Sequence, residues 1–372
     1  MQQVGVFDQI KSGICNVDPV AYCEKNLTLD GKPFRLRGNG FKPFADIYRY
    51  IGLNGIKPDA KPVVLVKGRQ VGATTMAGAL TMYFMTSGLF GTGGRPPMRM
   101  MHAFPTLVHV FKYTKTKLNP MIKAANLVDD PRRPSRKISC IEAMLDTSSE
   151  SSNSLQYKQF SNANWVSIES TGMDADRLRG GTLDAMFYDE VQDIPKEAIA
   201  NANKLLTAAQ YGHRGVKVYF GTPKQRGSEY YNMWERSNKQ YYHLGCEKCG
   251  EYFQLYTPGS DDWEKIWLYG NIVRCPHCEH TQDKLEAADR GTWVATNSEN
   301  CDNVGYHINQ FYTPWLTRED IDGERPENST VKYRTRMAKR SLGRVLCWRA
   351  GPDYPGRDFR KLCRQTFYEV RN

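Results

Sequence analysis

The strongest constraint on this chain is the run Lys67-Gly68-Arg69-Gln70-Val71-Gly72-Ala73-Thr74-Thr75. It follows the apolar residues Val63–Val66 and precedes a helix-like stretch, Met76–Met85. Strand, glycine loop and helix in that order are what a phosphate-binding loop requires. Backbone N–H groups from Gly68 to Thr74, at the start of a helix, point at an anion. Laid on the spacing G-x-x-x-x-G-K-[ST], Gly72 and Thr74 take the second glycine and the hydroxyl, the latter for Mg²⁺. Ala73 stands where lysine is usual, and Lys67 stands where the first glycine is usual. The cation is therefore expected from the front of the loop, with Lys67 first and Arg69 as its competitor. The bland alternative is a glycine turn between a strand and a helix.

A second constellation weighs against that alternative. Leu183-Asp184-Ala185-Met186-Phe187-Tyr188-Asp189-Glu190 reads as an apolar strand ending in two carboxylates. Asp189 is expected to bind Mg²⁺ through its water shell, and Glu190 to orient and deprotonate an attacking water. Upstream, Arg177 and Arg179 are candidates for a trans-acting finger that stabilises charge on the transferred phosphoryl group. A surface loop that pairs them with Asp174 and Asp176 is the other reading. The strand Val218-Tyr219-Phe220 ends in Gly221-Thr222-Pro223, where Thr222 is placed to sense the γ-phosphate, or else simply to make a turn.

Strands alternate with helices from 62 to about 222, which predicts a parallel α/β sheet. The expected strands are Met98–Ala103, Trp165–Glu169, Ala185–Tyr188 and Val216–Phe220. Leu107–Ala124 reads as an amphipathic helix interrupted at Pro120, and Pro131–Ser154 as a loop. Ala45–Ile51 is helix-like, within an aromatic and basic segment suited to contacts on the adenine side of a nucleotide. The expected divisions are an N-terminal segment (1–60), an ATPase core (61–242), a cysteine-bearing insert (243–295) and a lid or basic C-terminal region (296–372).

The insert carries Cys246-Glu247-Lys248-Cys249 and Cys275-Pro276-His277-Cys278. Two such knuckles facing each other give tetrahedral S₄ coordination, which suits a structural Zn²⁺ with no open position. A redox Cys-x-x-Cys pair is the lesser reading. No apolar run reaches the length of a membrane span, and no signal peptide is apparent at the N-terminus. Free or metal-bound thiols and a cytoplasmic compartment are expected accordingly. The net charge of +11 is concentrated near the C-terminus: residues 332–371 hold twelve Lys and Arg against three acids, interleaved with aromatic rings. That composition suits a polyanion, or alternatively a solvated face with a docking role.

Taken in order, these motifs resemble a known family. Lys67…Gly72…Thr74 is followed by His102-Ala103-Phe104-Pro105-Thr106, Leu118-Asn119-Pro120-Met121, Arg177-Leu178-Arg179-Gly180, Tyr188-Asp189-Glu190 and Gly221-Thr222-Pro223. The cysteine pairs, Gly291-Thr292-Trp293 and Gly305-Tyr306-His307-Ile308-Asn309 continue the series. The chain resembles the large terminase subunit of tailed bacteriophages, in its lambda-like branch, over roughly residues 40 to 345. The resemblance implies an α/β P-loop NTPase of the additional-strand Asp-Glu type, with a parallel central sheet, a zinc-ribbon insert and a small lid. It implies ATP, Mg²⁺ and Zn²⁺, and an ATP-driven translocase of double-stranded DNA. The implied partners are the portal of the procapsid, the small terminase subunit and further copies in a ring, with no membrane. The place is the host cytoplasm, transiently docked on the procapsid. Large terminases usually continue into a nuclease, yet fewer than sixty residues follow Trp315. Nuclease activity is not expected from this chain alone. The rivals are a helicase-like ATPase and a zinc-ribbon DNA-binding protein whose nucleotide site is inactive, given Ala73.

Overall fold

A computed structural model describes residues 17–171, 181–212, 215–224, 226–257, 262–297 and 301–323. Arg177, Arg179 and the basic stretch 332–371 lie outside the described residues. In chain order the strands are β1 (Thr28–Leu29), β2 (Lys32–Pro33), β3 (Val63–Lys67), β4 (Arg99–Phe104), β5 (Leu127–Asp130), β6 (Arg133–Ser139), β7 (Tyr157–Gln159), β8 (Trp165–Ser170), β9 (Ala185–Tyr188), β10 (Val216–Gly221), β11 (Gln240–Gly245), β12 (Tyr252–Phe253), β13 (Trp267–Tyr269), β14 (Ile272–Arg274), β15 (Thr281–Asp283), β16 (Thr292–Ala295) and β17 (Val304–Ile308). The helices used below are α1 (Pro19–Asn26), α2 (Lys42–Arg49), α3 (Ala73–Thr86), α4 (Leu107–Tyr113), α5 (Asn119–Ala124), α6 (Lys196–Lys204) and α7 (Glu229–Glu235). The fold is α/β with mostly parallel sheet, and the chain divides into two compact units, Met1–Leu36 with Phe44–Val63 and Gly72–Phe220, and Arg37–Pro43 with Val64–Val71 and Gly221–Asn372.

In the first unit the sheet order is β10-β9-β4-β8-β7. The first four strands are parallel and β7 is antiparallel to β8. All four residues of β9 are buried, as expected for a strand covered on both faces. From Met76 to Thr86 every residue of α3 is buried, so this helix is apolar all round and runs through the interior. Tyr22 of α1 meets Tyr83 edge-on at 5.5 Å between ring centroids and bonds the Thr86 hydroxyl at 2.6 Å.

The structure differs from the sequence expectation at three places. The stretch 131–154 is not simply a loop: β6 pairs antiparallel with β5, and Glu142–Met144 forms a 3-10 turn. Its exposed polar residues hide the strand, because only Ile138 and Ser139 of β6 are buried. Pro120 also fails to interrupt the helical run. A wide π-turn, Thr114–Leu118, separates α4 from α5 and leaves Pro120 in the first turn of α5, where a missing N–H costs little. The expected helix 45–51 spans Lys42–Arg49 and continues as a π-turn, Tyr50–Asn54.

In the second unit the sheet order is β12-β11-β17-β3, and β16 also pairs with β11. β11 is parallel to β17 and antiparallel to β12 and β16. The Tyr230 hydroxyl of α7 donates toward the carbonyls of Leu65 (2.8 Å) and Gly221 (3.0 Å), tying both residues to α7. A separate antiparallel sheet, β13-β14-β15, carries the second cysteine pair. Phe311 packs on Tyr256, Trp263 and Trp267, with ring centroids 4.9–5.5 Å away.

Candidate nucleotide and metal sites

β3 ends at Lys67, and the chain turns through two left-handed residues before entering α3. Gln70 has φ 58° and Gly72 has φ 76°. Glycine adopts the second at no steric cost, whereas Gln70 carries strain. Gly68 is pinned from outside the loop: its N–H donates to the Ile308 carbonyl at 2.8 Å. A Cβ there would lie 3.3 Å from Asn309 Cα, so a side chain would press on the backbone after β17. The first α-helical bond of α3 runs from Met76 N–H to the Gly72 carbonyl at 2.9 Å. The N–H groups of Ala73, Thr74 and Thr75 precede it, lack helical acceptors and sit at the positive end of the helix dipole. Such a group of free N–H donors is suited to an anion. Lys67 and Ala73 are buried, Thr74 and Thr75 are half-buried, and Arg69, Gln70 and Gly72 are exposed.

In the first unit β9 delivers the two carboxylates. Asp189 N–H donates to the Ala103 carbonyl at 3.0 Å, which extends the ladder with β4 one residue past the strand. Asp189 is only 5% exposed. Its Oδ1 accepts from the Glu190 N–H at 2.9 Å and its Oδ2 accepts from the Thr74 hydroxyl at 2.9 Å. Residues 115 apart in sequence are thereby joined. While it donates to Asp189, the Thr74 hydroxyl keeps lone pairs for Mg²⁺, so the pair fits such an ion with the hydroxyl as ligand and the carboxylate reaching it through water. Glu190 is left-handed (φ 52°, ψ 42°), a conformation that costs a non-glycine residue about 1 kcal/mol or more. The kink turns the chain off the strand, and Gln192 Nε2 then holds Glu190 Oε2 at 2.6 Å.

Sequence reasoning did not single out the groups that support this site. Tyr188 and Tyr219 stack at 4.9 Å across β9 and β10, and Asn203 of α6 bridges them, accepting from Tyr188 OH at 3.0 Å and donating to Tyr219 OH at 3.1 Å. Asp184, fully buried at the head of β9, accepts from Arg99 Nε (2.8 Å), Nη2 (3.0 Å) and N–H (3.1 Å), and from the Gln210 N–H (2.8 Å). His102 on β4 lies 2.6 Å from Thr81 Oγ1 of α3. Since Thr81 donates to the Ala77 carbonyl (2.8 Å), His102 must donate from Nε2, and burial lowers its pKa to about 3. The imidazole is a neutral clamp between β4 and α3. Only the Asp184–Arg99 charge pair had a readable signal, an acid at the head of an apolar strand. Thr222 follows β10 and is half-buried. Arg177 and Arg179 are outside the described residues.

The four cysteines come together in the second unit. Their sulfurs all lie within 4.8 Å of one another, with Cys246–Cys278 at 3.6 Å and Cys249–Cys275 at 3.8 Å. A tetrahedron of sulfurs about 2.3 Å from zinc has edges of about 3.8 Å, so the donor set fits Zn²⁺. Both knuckles share one backbone plan. Gly250 N–H bonds the Cys246 carbonyl (3.0 Å), and Glu279 N–H bonds the Cys275 carbonyl (2.9 Å). Each fifth residue is left-handed, Gly250 at φ 77° and Glu279 at φ 58°. Each knuckle joins antiparallel strands, β11 to β12 and β14 to β15.

The family model described as phage terminase large subunit gpA, ATPase domain, matches residues 56–293. Curated proteins yield no match to this chain. Among solved structures the chain is similar to the large terminase ATPase domain of Thermus phage P74-26, at 14% identity over 77% of this chain and 89% of that one, TM-score 0.38. It is also similar to the large terminase of a thermophilic bacteriophage, at 13% identity over 85% of this chain, TM-score 0.45. The chain spans 54% of that second protein's length. A complex of the same terminase with ADP is similar at 13% identity over 84% of this chain and 54% of that one, TM-score 0.43.

Proposed function

The chain belongs to the family of the phage terminase large subunit gpA ATPase domain, and from that premise we propose a residue-level account of a motor that couples ATP hydrolysis to viral DNA packaging. The observation that carries it is the hydrogen bond between Thr74 and Asp189, 2.9 Å long, beside Glu190 at the mouth of α3. A hydroxyl, a buried carboxylate and a second carboxylate near the N-terminus of α3 support the reading, because free N–H groups there suit a phosphate. In this account Gly68 to Thr75 cradle the phosphates of ATP, with Lys67 supplying the cation that Ala73 does not and Arg69 as its competitor. Thr74 and Asp189 would hold Mg²⁺, which when bound neutralises charge on the β- and γ-phosphates. Glu190, held by Gln192, takes a proton from water as its oxygen attacks the γ-phosphorus and the bond to ADP breaks. Arg177 or Arg179 serves as the finger, and Thr222 senses loss of phosphate.

The finer fold assignment is an additional-strand Asp-Glu P-loop ATPase. Cys246, Cys249, Cys275 and Cys278 would hold one structural Zn²⁺, which fixes the two knuckles of a ribbon between 243 and 295. Double-stranded DNA is the cargo, and the portal, the small subunit and further copies of the chain in a ring are the partners. Work would take place in the host cytoplasm on a docked procapsid. Among the described residues no helix is long and apolar enough to cross a membrane. Steady-state ATP hydrolysis with and without linear double-stranded DNA tests the coupling. Stimulation by duplex is the expected result, whereas stimulation by single strands together with unwinding would favour the helicase reading.

A further inference from the structure

A second feature of the first unit is strongly charged and has no part in nucleotide chemistry. Residues 107–139, from α4 through the hairpin β5–β6, hold eight Lys and Arg against Asp129 and Asp130. Both acids are already engaged. Asp129 pairs with Lys137 at 2.6 Å, and Asp130 is buried, accepting the Arg132 N–H at 2.9 Å. Lys115, Lys123, Arg133 and Arg136 are exposed and have no carboxylate partner among the described residues.

The backbone explains how the hairpin presents these bases. Asp130 pairs with Arg133 and Asp129 with Lys137, so the register jumps between them. Pro134, Ser135 and Arg136 therefore face no residue of β5 and stand out as a bulge, a device that re-aims side chains. Ser139 Oγ donates to the Ile122 carbonyl, which docks the base of the hairpin on α5. Thr28 donates to the Ala124 carbonyl and Asn126 N–H to the Asn26 carbonyl (3.0 Å), which fastens the same corner to α1 and β1. A firmly anchored projection tipped with Arg, Ser and Arg is suited to a regular array of phosphates. The adjacent helical run carries Lys115 and Lys123 eight residues apart, roughly 12 Å, a length along which a duplex carries about seven phosphate charges.

We infer that the β5–β6 hairpin, through Arg133 and Arg136, together with Lys115 and Lys123, contacts the phosphate backbone of double-stranded DNA. The inference rests on the packaging reading, and it assigns the contact to this unit in addition to any made by the basic stretch 332–371. Each phosphate contact contributes about 0.9 to the slope of log K against log salt. Removing two contacts should lower the slope by about 2 and weaken binding about 60-fold at 0.1 M salt. The test is fluorescence anisotropy of a labelled linear duplex with the full chain, titrated over salt, for wild type, Arg133→Ala/Arg136→Ala and Arg133→Lys/Arg136→Lys. The expected result is the stated loss in the alanine pair, retention of the slope in the lysine pair, and unchanged ATP hydrolysis without DNA. Wild-type binding with an unchanged constant and slope in the alanine pair would overturn the hairpin assignment alone. No duplex binding by the wild type would overturn the packaging reading and this inference with it. Loss of affinity for a purified portal, with duplex binding intact, would reassign the hairpin to a protein contact and overturn the inference.

Discussion

Replacing Cys275 by serine should dismantle the ribbon, and the geometry sets the scale. Cys275 is fully buried between β14 and β15, and its sulfur lies 3.8 Å from that of Cys249. The strands around the four sulfurs are two or three residues long, apart from β11, so little apolar area holds the knuckles together without a metal. Structural zinc contributes about 10–16 kcal/mol of apparent binding energy. Shared over four thiolates, that is about 2.5–4 kcal/mol each, or about 10²–10³ in zinc affinity. Native mass spectrometry should find one zinc per chain in the wild type and little in Cys275→Ser at equal free zinc. Melting of the wild type should fall on chelation to near that of the variant. Absence of zinc from the wild type, with chelation and the substitution both silent in the melt, would refute the reasoning and leave the sulfurs as a chance cluster.

Thr74→Ala should raise the Mg²⁺ concentration for half-maximal hydrolysis at least about tenfold, as for loss of a group that orients a metal ligand; a magnesium titration of the rate checks it. Asp184→Ala removes four hydrogen bonds from a fully buried carboxylate and leaves Arg99 uncompensated, which should cost about 3–5 kcal/mol. In a thermal melt the first unit should lose roughly 6–20 °C. His102 is neutral in the fold because its pKa falls from the ordinary 6.5 to about 3, so the unfolded chain binds the extra proton. Its contribution is complete above about pH 6.5 and is lost as pH falls toward 3, by at most about 1.4 kcal/mol per pH unit. Denaturant melts of His102→Phe should show a flatter pH dependence in that window, and an equal slope would count against the clamp.

Much of this was legible before the structure. The strand Ala185–Tyr188 is apolar at every position and carries its acids at the end, and β3 has the same character before the glycine loop. Buried parallel strands announce themselves this way because neither face is solvated. The cysteine cluster was legible because two Cys-x-x-Cys pairs have the spacing that a tetrahedral metal site asks of its donors. The hairpin β5–β6 was not, since five of its seven β6 residues are exposed, four of them polar, and pairing leaves no periodic trace in such a strand. Nor was the role of Asn203, which depends on two tyrosines that the sheet register aligns. Glu279 occupies the left-handed position that glycine takes in the other knuckle, a likeness visible only in the backbone.

In the proposed account Asp189 and Glu190 serve a nucleotide whose phosphates sit at the N-terminus of α3. This assignment is tested most directly by measuring ATP binding and ATP hydrolysis side by side in wild type and Glu190→Gln. The glutamine keeps the shape and removes the base, which should lower turnover about 10²- to 10⁴-fold while leaving the dissociation constant for ATP within a few-fold. Turnover that survives the substitution would contradict the account, as would a parallel loss of ATP binding.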